Sequence, residues 1–154
     1  QTSSIVTVAS HNAPADAPAS CSSVPISTGD DRLQNAVYRG TSLFTCHTIG
    51  TNQGSAGVRW YEIGPTNGAD IQRSTIRDET GTFAYYYPSI AVNSVGDVFV
   101  GYSGSSAAPF VSCFVSGRKV NDTQSAISEP FEDTDRTRSC VSYTPVSLPP
   151  THSV

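Results

Sequence analysis

The feature that most constrains this chain is an internal repetition of strand-forming sequence. Residues 35–64 and 90–118 read as two copies of one unit. Ala36-Val37 recurs as Ala91-Val92, and Leu43-Phe44 as Val98-Phe99, each 55 residues further on. In each copy a tight turn (Arg39-Gly40-Thr41; Ser94-Val95-Gly96) joins two β-rich runs. A loop of small residues (50–57; 103–109) then leads to a third run. A unit of this kind cannot bury its apolar face alone and has to stack on its neighbour.

The rest of the chain agrees with an all-β fold. No long stretch places apolar residues at i, i+3, i+4 and i+7, and 12 Gly and 10 Pro punctuate the sequence. Strand-length runs span 33–38, 42–49, 58–63 and 71–76, then 89–93, 97–103 and 110–115. Residues 1–10 hold a lone β-branched run, Ile5-Val6-Thr7-Val8. Residues 11–29 are an Ala/Pro/Ser linker, 30–148 the β-rich domain, and 149–154 a tail. Two architectures fit: antiparallel blade-like sheets, about two propeller-type repeats, or a single β-sandwich.

Charge excludes several functions. Charged residues make up 14% of the chain and the net charge is −4. Nucleic-acid binding wants a basic face, so no nucleic-acid partner is expected. No apolar run approaches the length of a membrane helix, so no membrane insertion is expected. The chain contains no Met. Gln1 is therefore read as a mature terminus after signal-peptide removal, with a fragment of a longer chain as the alternative. The four cysteines, Cys21, Cys46, Cys113 and Cys140, are widely spaced and form no CxxC pair. They are expected to form two disulfides of undetermined connectivity in an oxidising, extracellular or cell-surface compartment. Asn121-Asp122-Thr123 is a candidate N-glycosylation sequon, as in a secreted glycoprotein.

A family resemblance rests on particular residues. The first part comprises Asp31 to Tyr38, Ser42-Leu43-Phe44 with His47-Thr48, and Val58 to Ile63. The second comprises Tyr87 to Asn93, Gly96-Asp97 and Gly101-Tyr102-Ser103, closing at Gly117-Arg118. Together they resemble secreted bacterial β-propeller repeat proteins with sialidase-like, BNR-like blades, over about residues 30–120. The resemblance implies a blade fold and, as one reading, a glycan-binding or glycan-hydrolysing fragment of such a propeller.

A closed propeller needs at least four blades, and this chain has strands for about two. Open sheet edges present unpaired N–H and C=O groups, a template for pairing with another chain. Ile5 to Val8, on its Pro-rich linker, could be donated to a neighbouring molecule or could fold back on its own sheet. Donation applied head to tail builds an open filament. The leading expectation is thus a non-catalytic extracellular subunit that partners itself in a fibre or surface layer.

No catalytic signature competes with that reading. No GxSxG elbow, HExxH helix or phosphate loop occurs. His11, His47 and His152 lie far apart in sequence, so no metal or other cofactor is expected. Cys46 and His47 are adjacent on a strand and point to opposite faces, which rules out a dyad. No catalytic residue is assigned, and the protein is expected not to be an enzyme. Trp60, Tyr61, Tyr85 and Tyr86 are candidate glycan-stacking residues, although strand alternation puts at least one of Trp60 and Tyr61 in the core.

Overall fold

A computed structural model describes residues 5–64 and 68–132. Every regular element among them is a strand: β1 (Leu33–Arg39), β2 (Ser42–Gly50), β3 (Ala56–Ile63), β4 (Asp70–Ile76), β5 (Ala84–Val92), β6 (Val98–Ser105), β7 (Ser112–Arg118) and β8 (Phe131–Glu132). They form two four-stranded antiparallel sheets, in the orders β1-β2-β3-β4 and β5-β6-β7-β8. Each sheet is a simple meander, because short polar turns leave consecutive strands no partner nearer than each other.

The core lies between the sheets. Phe44, Cys46, Val58, Trp60 and Ile76 of the first sheet pack against Tyr85, Ile90, Val92, Val98, Val100, Tyr102 and Phe114 of the second. Alternation along each strand puts these residues on one face, and the register irregularity between Tyr86 and Ser89 brings Tyr85 onto the face of Ile90 and Val92. Burying one such large apolar side chain is worth about 1.5–3 kcal/mol. β5 lies across β1, β2 and β3. Asn35 stitches this crossing: its amide donates to the Ile90 carbonyl and accepts from the Ile90 N–H, each at 3.0 Å. The side chain thereby supplies both bonds that a neighbouring strand would make.

The pairing corrects the alignment of the repeats. Val37 faces Phe44 in one sheet, and Val92 faces Val98 in the other. Phe44 is therefore equivalent to Val98, and both are buried. Matching Leu43-Phe44 with Val98-Phe99 is out by one residue. The cause is the turn. Gly40-Thr41 closes the first hairpin with two residues, Gly40 at φ 61°. Ser94-Val95-Gly96 closes the second with three, inside the Asn93–Asp97 hydrogen bond. Carried to the next strand, Phe44 pairs with Glu62 and Val98 with Arg118, so Glu62 and Arg118 occupy equivalent positions.

Residues 11–29 are not an extended spacer. Asn12 bridges Gly50, Ala17 bridges Ile26, and Ala17 and Thr28 are fully buried. This strap packs on the body because its small residues fit beside Ala56, Ala84 and Tyr86. The run Ile5 to Val8 pairs with no strand among the described residues. The end of the β-rich domain read from sequence, 133–148, and the tail 149–154 lie outside the described residues.

Candidate functional site

Three regions could carry function, and the strap creates the first. The outer face of the first sheet presents Thr45, His47 and Ile49 on β2 and Arg59 and Tyr61 on β3, and residues 9–13 cover it. Arg59 donates to the carbonyls of Ala9 and Ser10, both at 3.4 Å, and to Thr75 Oγ1 at 2.9 Å. His47 Nδ1 donates to the Asp31 carbonyl at 2.7 Å, leaving Nε2 to accept from the Tyr61 hydroxyl at 3.0 Å. His11 stacks edge-on against His47, with ring centroids 4.7 Å apart, and reaches the Asp31 carboxylate at 3.2 Å. Burial holds the His47 pKa below its ordinary value, outweighing the hydrogen bond to Asp31 that raises it. Arg59 and His11 hold residues 9–13 on the sheet, while His47, Tyr61 and Thr75 bond within the sheet or to Asp31, so the polar groups named here already have protein partners.

The second region is the outer face of the second sheet. The corrected repeat puts Phe99, Gly101, Val115 and Gly117 where the first sheet has Thr45, His47, Arg59 and Tyr61. No strap covers this face among the described residues. Phe99 is 51% exposed and Phe131 69% exposed, with Val115 and Cys113 beside them. Phe99, Val115 and Phe131 border a groove of about 480 Å³.

The third region is a cleft between the sheets, of about 280 Å³, at the end where the two hairpin turns meet. Glu62 and Arg118, the equivalent pair, both line it, with Arg39, Ser42, Gln72 and Ser94. Ser42 Oγ donates to Glu62 Oε1 at 2.8 Å, and Gln72 Nε2 donates to Glu62 Oε2. Arg118 is 6% exposed and lies against the Trp60 ring, its guanidinium carbon 6.0 Å from the centroid. It donates to the Asp122 carbonyl at 3.1 Å, but its Nε has no partner. No carboxylate stands within salt-bridge distance of it among the described residues.

The residues singled out from sequence fare differently. Trp60, Tyr61, Tyr85 and Tyr86 are all buried, so none offers a ring face to a sugar. The reason is that both faces of the strands are covered. Trp60 enters the core between the sheets while Tyr61 lies under the strap. Tyr85 packs edge-on against Tyr102 and Phe114, at 5.3 Å in each case. Tyr86, on the opposite face, packs with Ala17 and donates to Ser105 Oγ at 3.1 Å. Two disulfides would consume all four cysteines, yet Cys46 and Cys113 are free. Cys46 points into the core, where burial pushes its thiol pKa up to about 12, while Cys113 points out of β7 toward solvent. Cys21 is not among the free thiols, and Cys140 lies outside the described residues. Asn121 is exposed in the turn after β7, accessible to modification. Opposite charges at equivalent positions of a repeat are the signal that marks the cleft, and they emerge only once the register is corrected.

The fold and these surfaces define an all-β protein of two stacked four-stranded sheets. No family model, no curated protein and no solved structure matches the chain.

Proposed function

We propose that this protein is a non-catalytic extracellular structural subunit, with blade-like repeats, that assembles with copies of itself by donating its N-terminal strand. The observation that carries this reading is a pair of unmatched elements. Ile5 to Val8 is strand-forming sequence with no strand partner among the described residues, and Ile5 is 95% exposed. β1 is an edge strand whose residues are exposed or half-buried throughout, and no strand lies on its outer side among the described residues. Seven residues of open edge are enough to accept a strand of four.

The strap explains why donation would be intermolecular. Residues 9–13 are fixed on the outer face of the first sheet, and Val6 lies near Gly68 at the β3–β4 end. A strand held there is separated from its own β1 by β2 and β3. Head-to-tail repetition then gives an open chain of subunits.

Sedimentation velocity of the wild-type protein beside Val6→Pro tests this. Proline removes a ladder donor and does not belong inside an added strand. Oligomers in the wild type that collapse to monomer in the variant are expected. An identical size distribution in both would refute donation.

A further inference from the structure

We infer that the cleft between the two hairpin turns is a binding site for a hydroxylated monocarboxylate about the size of one hexuronic acid. The argument starts from Arg118. A guanidinium is permanently charged, and burying it without a carboxylate is costly. Here the cation–π contact with Trp60 and one carbonyl offset that cost only in part. The unpartnered Nε belongs to a side chain that lines the cleft. Arg118 feels the charge of Asp97 without forming an ion pair with it, and a carboxylate entering the cleft supplies a closer counter-charge.

The other lining residues narrow the class. Arg39 is a second, exposed guanidinium at the mouth. Glu62 carries the opposite charge from the equivalent position of the other repeat, so the ionisable lining has a net charge of +1 (Arg39 and Arg118 against Glu62). That matches a singly charged anion and disfavours a doubly charged sulfate or phosphate. Each Glu62 oxygen already accepts one hydrogen bond and retains a lone pair for a ligand hydroxyl. Ser42, Ser94 and Gln72 add neutral polar groups around it. The volume of about 280 Å³ sits just below the range of drug-sized pockets, which suits one sugar-sized molecule. This cleft is remote in role from strand donation, and the inference stands or falls separately from the proposed assembly.

Trp60 is the single tryptophan and touches Arg118, so it reports directly on the site. The test is titration of the full chain with glucuronate, followed by Trp60 fluorescence and by calorimetry, with glucose and inorganic sulfate at matched ionic strength as controls. Saturable binding of glucuronate, with none of glucose or sulfate, is the expected result. Arg39→Gln should weaken it about tenfold, the loss of one charge-assisted contact. Arg118→Met should abolish it while raising the unliganded melting temperature, because a buried unpaired charge is removed. Glucuronate that fails to bind, binding of sulfate in its place, or affinity untouched by Arg118→Met would each overturn the inference. Arg39→Gln lies at an exposed turn, so it remains informative even if Arg118→Met does not fold.

Discussion

Asn35 shows how one side chain can join two sheets. Its amide forms two hydrogen bonds to the backbone of Ile90 and accepts a third from the Cys46 thiol. Asn35→Ala should destabilise the protein by about 1–3 kcal/mol, since it leaves the Ile90 N–H and carbonyl unpaired. Urea unfolding checks this, and an unchanged midpoint would mean that water replaces the amide. His47 makes a second residue-scale prediction. Burial depresses its folded pKa below 6.5, so the unfolded chain binds the proton more readily. Its contribution to stability is complete above about pH 6.5 and falls as pH drops from there to the folded pKa. The slope reaches at most about 1.4 kcal/mol per pH unit. His11, Arg59 and Asp31 face the same ring, so the control is His47→Gln, which should flatten the urea midpoint between neutral and mildly acidic pH. Asn35 reads in sequence as an ordinary polar strand residue; His47 reads as a satisfied structural histidine, but its partners are not legible, because Ile90 and Asp31 approach these side chains only after folding.

At the scale of elements, most strands were legible. The run 33–38 became Leu33–Arg39, and 42–49 became Ser42–Gly50, because alternation and β-branching persist up to clear turns. β5 was read short, as 89–93, and is Ala84–Val92. Pro88 within it looks like a breaker. The chain absorbs the proline at a register irregularity between Tyr86 and Ser89, where Tyr87 takes a positive φ of 52°. The β5–β7 layer also depends on close packing at Gly104. A Cβ there would stand 2.6 Å from the Phe114 ring and 2.8 Å from that of Tyr85. Gly104→Ala should therefore cost about 1–3 kcal/mol through overpacking of the aromatic cluster. Thermal unfolding with near-ultraviolet circular dichroism would show a lowered midpoint and altered aromatic bands. Wild-type values for both would mean that the rings can shift freely.

Across the whole molecule, the two sheets are alike in topology and unlike in what covers them. The strap packs over the part of the first sheet's outer face around His47 and Arg59, while the outer face of the second leaves Phe99, Val115 and Phe131 exposed. Sequence periodicity revealed the sheets but not this asymmetry. A Pro-rich segment without alternation, such as 11–29, does not disclose what it packs on. The same blindness made the buried aromatics look available to sugars. The unpaired Ile5 to Val8 run and the open β1 edge are the two elements that the assembly reading joins, and a cross-link tests that join most directly. Val6→Cys in one population and Ala36→Cys in another, both in a Cys113→Ser background, would be mixed and oxidised. The account predicts a disulfide-linked heterodimer on a non-reducing gel, lost when Val8→Pro, which cannot sit inside an added strand, is combined with Val6→Cys in the first population. Monomer alone, or a cross-link that forms as well with the proline in place, would contradict it.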